Sequence, residues 1–469
     1  MTSTRRRPRR LPRPLALAAA AILLAAPGTA LAAPGGTPGP PSGHPRDAAI
    51  TADQALLPDD GWASADGGTT GGAAASPEDV HDVSDRAELV EALAASEGVP
   101  SIIRVHGTIP VNADAEGEPI SCEEIAEGTG YTLEGYLEAF DPETWGWEEE
   151  PAGPMEDARR AAATVQQQLI TLTVPSDTTI IGAEEGAGLV GVSLSVRGVD
   201  NVIIRNLVLA DTYDCFPAWD PTDGATGNWN SEYDSIRVVD GSTHIWIDHN
   251  AFTDEPMTDD QLPEHFGRTF QRHDGALDIT NGSDLVTVSW NAFRDHDKLT
   301  LVGSTDRADR GDPGKLRVTF HHNLYEGVGQ RAPRVRFGQV DVYNNHYVIS
   351  RDQTVGYGYS IGVGFDSHLH VEANAFTTGG VVDAGQLLSV LKGSEVLTRD
   401  NLVDHRRVDL RAACNEGRPA QEQLAEDTSW EPTLRRCVDR VQHVDGVVGA
   451  WAGPRFGPAP GRIGEDCRA

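Results

Sequence analysis

Positive charge is scarce in this chain of 469 residues, and lysine is its rarest source. The sequence has 38 Lys and Arg residues against 71 Asp and Glu residues, which gives a formal net charge of −33. Its only lysines are Lys298, Lys315 and Lys392. So acidic a protein repels nucleic acid and anionic membrane surfaces, and neither is expected as a partner. A polyanionic partner would have to be held by local positive charge or by a bridging metal ion.

Cysteine is also scarce, and closely spaced cysteine pairs are missing. The five cysteines are Cys122, Cys215, Cys414, Cys437 and Cys467. The absence of a CxxC motif argues against a thiolate metal site. In an exported chain five cysteines allow up to two disulfides, and we expect the local pairing of Cys414 with Cys437.

The chain has one long apolar run. The run LALAAAAILLAAPGTALA follows six arginines and ends in the small-residue pattern Ala30-Leu31-Ala32. This pattern is typical of a secretory signal peptide, here residues 1–32. No second apolar segment of spanning length follows. We therefore expect a secreted, extracellular protein with no membrane anchor, and a monomer.

The remaining chain divides by composition. Residues 33–75 are rich in Pro, Gly, Ala and Ser, and such a stretch predicts a linker because it cannot bury enough apolar surface to order itself. Residues 76–469 form the predicted folded domain. Within it, residues 114–168 are acidic and contain the helical stretches YTLEGYLEAF and MEDARRAAATVQQQL, which predict a minor helical insertion.

Short β-branched runs then follow one another, and several end in Asn with an apolar or aromatic residue after it. The recurring residues are Asn206, Asn250, Asn291, Asn323, Asn345 and Asn374, at intervals of 22 to 44 residues. A solenoid gives such spacing, because each coil has a minimum length and carries variable insertions on one face. Stacked side-chain amides at one turn favour a parallel β-helix over a propeller. The sequence therefore predicts an all-β solenoid with an Asn ladder and long loops on one face.

Charged residues recur at matching positions of successive coils. Counted back from the ladder Asn of each coil, and allowing for the loop after Lys298, they lie 9 to 17 residues upstream. In chain order they are Asp234, then Asp274 and Asp278, then Lys298, then Arg331 and Arg336. Because adjacent strands lie about 4.8 Å apart, the four coils present these groups along about 15 Å of one face, a length that suits a few sugar units.

The three aspartates predict a cation site. Converging carboxylates repel one another unless a cation lies among them, and hard oxygen ligands favour Ca²⁺ over zinc. In a straight strand Asp274 and Asp278 would be about 13 Å apart, so the chain must turn between them, which Gly275 permits. The position of Lys298 between acids and arginines favours substrate binding. In the basic stretch QRAPRVRFG, Arg334 is the candidate for a structural network with acids.

Six segments together resemble the pectate lyases of polysaccharide lyase family 1. They lie between about residues 78 and 455 and read WIDHNAF, QRHDGALDI, GSDLVTVSWNAF, HDKLTLVG, LRVTFHHNLY and RAPRVRFGQVDVYNNHY. The resemblance implies a right-handed parallel β-helix and a Ca²⁺-dependent β-elimination on α-1,4-polygalacturonate that leaves a 4,5-unsaturated product. It implies that Trp246, Asp248 and His249 serve structure rather than chemistry.

The same resemblance implies individual roles. It assigns Ca²⁺ to Asp234, Asp274 and Asp278, with Glu232 as an additional ligand. It makes Arg331 the base that takes the proton from C5, and Lys298 and Arg336 the residues that bind substrate. An arginine can act as a base only in its neutral form, which neighbouring positive charges and desolvation favour. An alkaline activity optimum is therefore expected.

Three other functions remain open at this point. A pectin lyase would act on methyl-esterified polymer without Ca²⁺, and has little use for three converging acids. A polygalacturonase would need paired carboxylates as acid and base, and its products would lack an unsaturated bond. A non-catalytic β-helix that binds polysaccharide would release nothing, and the alignment of Lys298 with Arg331 argues against it.

Overall fold

The computed structural model describes residues 50–114 and 117–456. The predicted signal peptide, residues 1–32, and the first part of the predicted linker lie outside these ranges. In the described part of the chain no helix is both long and apolar enough to cross a membrane.

Three sheets run along the molecule, and each coil adds one strand to each of them. Sheet 1 consists of Val80–Val83, Ser101–Val105, Thr178–Gly182, Asp200–Arg205, Thr243–Asp248, Asp284–Ser289, Val318–His321, Gln339–Tyr343, His368–Glu372 and Leu397–Arg399. Sheet 2 consists of Thr171–Thr173, Ser193–Arg197, Ile236–Val239, Leu277–Ile279, Leu301–Val302, Arg334–Val335, Ile361–Gly364 and Leu388–Leu391. Sheet 3 consists of Thr108–Pro110, Gly188–Val190, Val208–Ala210, Ala251–Thr253, Ala292–Arg294, Leu324–Glu326, His346–Val348, Ala375–Thr377, Asn401–Val403 and Arg406–Val408.

Strands within each sheet pair in parallel, apart from the last strand of sheet 3, which folds back antiparallel on its neighbour. Two small hairpins project from the coils, formed by Ala218–Asp220 with Asn228–Asn230 and by Glu264–His265 with Arg268–Thr269. The predicted parallel β-helix is confirmed.

An aromatic stack fills the interior behind sheet 3. Its rings come from the second residue after each ladder Asn, at centroid separations of 4.4 to 5.3 Å: Phe252, Phe293, Tyr325, Tyr347 and Phe376. Aliphatic residues of all three sheets fill the rest of the core. The repeated Asn-x-aromatic pattern therefore has a single cause, since each copy occupies the same place in its coil.

The Asn ladder is present, with one member exchanged. It consists of Asn250, Asn291, Asn323, Asn345, Asn374 and Asn401, all fully buried. In each step the Oδ1 of one Asn accepts the backbone N–H of the Asn one coil earlier, as from Asn250 to Asn291 at 2.9 Å. The prediction of Asn206 is wrong, because Leu207 occupies the ladder position and donates its N–H to Asn250 Oδ1 at 3.1 Å. Asn401 was not predicted.

Six α-helices lie within the residues that the structure describes. They are α1 Arg86–Ala95, α2 Cys122–Ile125, α3 Leu133–Ala139, α4 Pro154–Ile170, α5 Leu410–Asn415 and α6 Val441–Trp451. Helices α2 to α4 form the predicted insertion and share a second, aromatic core with the hairpin at Trp219 and Trp229.

The predicted disulfide is wrong. Cys122 of α2 bonds to Cys215, which lies on the loop before the first hairpin, over a sequence separation of 93. Cys414 is a buried free thiol, and Cys437 is disulfide-bonded with a different partner. The Cys122–Cys215 disulfide thus ties the helical insertion to the coils rather than closing a local loop.

Residues 50–75 correct the linker prediction, because they pack on the outer face of sheet 1. Leu56 and Ala63 form a buried cluster with Ile203 and Trp246, and the Ala63 N–H donates to Thr287 Oγ1 at 3.0 Å. A Cβ on Gly72 would lie 1.9 Å from the backbone oxygen of Ser101. The small residues that resembled a linker are what allow this backbone to lie so close to the sheet.

Candidate active site

A buried aspartate, Asp234, and a partly buried one, Asp278, lie close together on adjacent coils of sheet 2. The pairing of Ile236 with Leu277 brings Asp234 next to Gly275, whose N–H donates to Asp234 Oδ1 at 2.9 Å. Asp278 Oδ1 accepts the N–H of Leu301, one coil further on, at 2.8 Å. The matching positions predicted for these residues therefore follow from the register of the sheet.

The carboxylates of Asp234 and Asp278 are held in an unfavourable environment. Burial, together with the charges of Asp278 and Asp274, raises the pKa of Asp234 well above its usual range. Burial and then Asp274 raise the pKa of Asp278 to about 7, although the Leu301 N–H, Arg331 and Lys298 oppose the shift. Such a pair is stabilised by any cation that comes between its oxygens.

Gly275 supplies the space in which the two carboxylates converge. A Cβ at this position would lie 2.6 Å from Asp234 Oδ1 and 2.8 Å from Asp278 Oδ1. Its φ is not positive, so the expectation that Gly275 permits a turn is replaced by a steric role. The hard oxygen donors converging on this gap fit a Ca²⁺ ion.

Asp274 is half-buried at the edge of this pair, where the Lys298 ammonium lies 3.1 Å from its Oδ1. Asp274 therefore acts electrostatically on Asp234 and Asp278 and forms an ion pair with the first basic side chain of the site.

The basic side chains come from the next coils of sheet 2. Lys298 pairs with Gln330, directly before Arg331, and Arg334 pairs with Leu301. Arg331 has a φ of 62°, a left-handed conformation that is uncommon outside glycine and is found at functional sites. Burial, then the charges of Arg336 and Arg331, lowers the pKa of Arg334, which shows that the three guanidinium groups lie within reach of one another.

The structural role predicted for Arg334 needs a correction. Arg334 makes no ion pair with an acid within the described ranges, so its expected structural network is absent. Arg336 is the one that is anchored, through Asp306 Oδ1 at 2.8 Å and the Gly303 carbonyl at 2.7 Å. Asp306 lies on the loop after Leu301–Val302, and no sequence pattern marked it.

The side chain of Glu232 is exposed, and its backbone N–H donates to Asp214 at 3.2 Å; its part as an additional ligand stays a prediction. Among residues expected to be structural, Asp248 is buried in contact with Arg205 and His249, and Trp246 packs under the arginine.

A buried histidine that sequence reasoning missed supports the site. His296 Nε2 lies 3.0 Å from the carbonyl of Asp274 and 3.2 Å from that of Lys298, while Nδ1 contacts Asp254 at 2.7 Å. Burial alone would lower the pKa of His296, but the Asp254 carboxylate raises it. Because acceptors face both ring nitrogens, His296 donates a hydrogen bond from each. Its Nε2–H in this way holds the backbone segments of Asp274 and Lys298 together. The HDK segment offered a signal, since His296 immediately precedes Asp297 and Lys298.

The chain is similar to known proteins over most of its length. A family model described as pectate lyase matches residues 155–410. Pectate lyase from Bacillus subtilis (strain 168) is 40% identical over 409 residues, which cover 87% of this chain and 94% of that protein. Pectate lyase E from Dickeya dadantii (strain 3937) is 39% identical over 318 residues, which cover 68% of this chain and 67% of that protein.

Solved structures agree with these relatives. A thermostable pectate lyase is 42% identical with a TM-score of 0.83, and a pectate lyase bound to a hexasaccharide is 38% identical with a TM-score of 0.81. Each match covers 87% of this chain and 99% of the other. The shared β-helix, the family match over more than half of the chain and this level of identity lead to one conclusion: the chain belongs to the pectate lyase family.

Proposed function

We propose that this chain is a Ca²⁺-dependent lyase that cleaves α-1,4-polygalacturonate by β-elimination and releases 4,5-unsaturated oligogalacturonides. The observation that carries the proposal is the convergence of Asp234 and Asp278, whose pKa values are raised, beside Asp274, which forms an ion pair with Lys298 of the same sheet edge at 3.1 Å. An acidic polymer can bind only where basic groups attract it. The carboxylates of the site must also be neutralised, because otherwise they would repel the polymer.

The reaction requires one group to remove a proton and others to stabilise the charge that develops. Arg331, in its neutral form, would take the C5 proton. The C–H electron pair then forms the C4–C5 double bond, while O4 leaves with its bonding pair and is protonated. No water is consumed. An alkaline optimum follows, because the neutral form of an arginine is favoured at high pH.

Lys298 and Arg336 would bind the carboxylate of the reacting sugar and stabilise the charge that builds there. The guanidinium of Arg336 has five N–H donors, and its contacts with Asp306 and Gly303 leave donors for a substrate carboxylate. Asp234, Asp274 and Asp278 would hold Ca²⁺, which would supply Lewis-acid chemistry and positive charge beside the substrate carboxylate.

An ultraviolet assay for the unsaturated uronate tests this proposal. We expect absorbance to rise with polygalacturonate and Ca²⁺, to stop with excess chelator and to return when Ca²⁺ is restored. Highly esterified pectin should react more slowly. Full activity in excess chelator would contradict the metal assignment, faster reaction on esterified pectin would favour a pectin lyase, and cleavage without absorbance would favour a hydrolase.

We also propose that the enzyme is secreted and acts outside the cell as a monomer. The disulfide between Cys122 and Cys215 supports an oxidising compartment, since disulfides rarely persist in the cytosol. Fractionation of the native host and light scattering of the purified enzyme test the two parts. Recovery of the activity from the cytosol, or a mass twice that of the chain, would contradict them.

A further inference from the structure

A second group of potential metal ligands lies in the last coils. His368 begins a strand of sheet 1, Glu395 precedes the final strand of that sheet, and Asp427 lies on the segment that returns after α5. One donor atom from each of the three lies within 4.8 Å of the other two. The group joins three positions that are far apart in the chain.

The spacing within this group is that of a metal ligand shell. His368 Nδ1 lies 3.3 Å from Glu395 Oε1 and 3.3 Å from Asp427 Oδ2, with Ser429 Oγ at 3.2 Å. A single ring N–H cannot point at three oxygens. In a tetrahedral site with bonds of about 2.0–2.1 Å, neighbouring ligand atoms are separated by roughly 3.3 Å.

Asp427 gives an independent indication of a ligand. Its side chain is fully buried, and its Oδ1 accepts both the N–H and the hydroxyl of Ser429, at 2.8 and 2.6 Å. Its Oδ2 has no hydrogen-bond partner and is directed at His368. A buried carboxylate oxygen without a donor is costly, and a cation would satisfy it.

A simple histidine-carboxylate ion pair fits less well. Charge-assisted hydrogen bonds are short, about 2.7–2.9 Å. Five other imidazoles in the described chain contact a carboxylate at 2.7–2.8 Å: His106, His244, His249, His273 and His296. His368 makes no such short contact, although both of its acidic neighbours are within reach.

We propose that His368, Glu395 and Asp427 bind one divalent transition-metal ion of the zinc class. One imidazole with two carboxylates suits such an ion, and three protein ligands leave a fourth position for water. His368 and Glu395 are each about 30% exposed, so that position is open to solvent. The ion fastens the returning segment at Asp427 to the last two coils, and it stabilises the folded chain because the unfolded chain lacks the site.

The test uses the full chain, stripped of metal with a chelator, and Co²⁺ as a visible-spectrum probe. We expect the wild type to bind one Co²⁺ with the intense absorption of tetrahedral cobalt, to release it when Zn²⁺ is added, and to gain several degrees in Tm with Zn²⁺. His368→Gln and Glu395→Gln should lose the absorption and the gain in Tm. Asp427→Asn should behave in the same way.

Two controls locate the ion. Asp278→Asn alters the candidate active site, and His405→Gln alters an exposed histidine that lies 3.8 Å from Asp445; both should keep the cobalt spectrum. Circular dichroism checks that each variant is folded. If Asp427→Asn does not fold, the variants of the partly exposed His368 and Glu395 decide the test. The proposal is overturned if the wild type shows no tetrahedral spectrum, if the spectrum survives His368→Gln and Glu395→Gln, or if Asp278→Asn abolishes it.

Discussion

Buried charged side chains are numerous in this protein, and they differ in how completely a neighbour neutralises them. Arg205 and Asp248 are almost fully buried and in contact at 2.6 Å, with the guanidinium also over the Trp246 ring. The charge of Asp234 is offset only in part by Arg237, and that of Asp278 only in part by Arg331 and Lys298. The Arg205–Asp248 pair maintains the fold, whereas Asp234 and Asp278 belong to the proposed cation site.

Asp248→Asn should destabilise the fold severely. Removing one partner of a buried ion pair leaves the other charge buried, at a cost of about 3–5 kcal/mol. Glu326→Gln is the matched control, because Glu326 pairs with Arg294 on the surface, where such pairs contribute about 0–1 kcal/mol. Urea unfolding of both variants measures the difference, and equal losses would show that burial of the pair is unimportant.

The contribution of the Asp248 carboxylate to stability should depend on pH. Burial alone would raise the pKa of Asp248, but His249 and Arg205 lower it to about 2, against a usual value of 3.8. A lowered pKa in the folded state contributes stability above about pH 4 and loses it as the pH falls towards 2. The Tm difference between the wild type and Asp248→Asn should shrink over that interval. A constant difference would contradict the argument.

That the acids lie near one another could be predicted from the sequence, but the contacts of the arginines could not. The place of Asp234 beside Asp274 and Gly275 is countable from the Asn ladder, whereas Asp278 lies opposite Arg237. The anchoring of Arg336 depends on Asp306, which reaches it from a loop on the preceding coil. Such a contact depends on how the loop folds, and no spacing encodes that.

At the scale of elements, coils are joined by the parallel sheets and the Asn ladder, and the Cys122–Cys215 disulfide ties the helical insertion to them. The ladder was predicted because each coil repeats the same environment. Asn206 misled because it lies one residue before the ladder position, with a φ of 61°, and its Oδ1 accepts the Arg455 N–H at 2.6 Å. An Asn in a turn looks the same in sequence whether its amide points along the ladder or out of it.

Asn323→Ala should cost more stability than Asn401→Ala. Asn323 accepts from Asn291 and donates to Asn345, whereas Asn401 ends the ladder and only accepts from its Asn neighbour, Asn374. Each change strands a buried backbone N–H, which costs about 1–3 kcal/mol, and the inner change also removes the donor to the next rung. Urea unfolding midpoints give the order, and a larger loss at Asn401 would contradict it.

Loss of the Cys122–Cys215 disulfide should destabilise the chain through the unfolded state. The bond closes a loop of 93 residues in sequence, for which the loop-entropy relation gives about 4–5 kcal/mol. We expect Cys122→Ala with Cys215→Ala to lower the unfolding midpoint far more than Cys414→Ala, which removes a buried free thiol at roughly 1 kcal/mol. Similar midpoints for the two variants would show that the bond contributes little. Its pairing was not predictable, since sequence distance favours local partners.

At the scale of the whole molecule, composition was informative about charge and misleading about order. The net charge of −33 correctly directed attention to the few places where basic groups gather. Residues 50–75 of the predicted linker instead pack on sheet 1, because small residues serve close packing as well as flexibility. Their contacts with sheet 1 exist only once distant coils have formed the surface that they cover.

The central claim is that an acidic β-helix cleaves an acidic polymer by means of one arginine beside an acidic pair. The direct test compares the rate at which unsaturated uronate forms from polygalacturonate, with saturating Ca²⁺, in the wild type, Arg331→Ala and the surface control Arg294→Ala. We predict a loss of about 10²–10⁴-fold for Arg331→Ala, the range for a missing general base, with the control close to wild type and the Ca²⁺ dependence of the residual rate unchanged. A rate for Arg331→Ala within a few-fold of wild type would contradict the account.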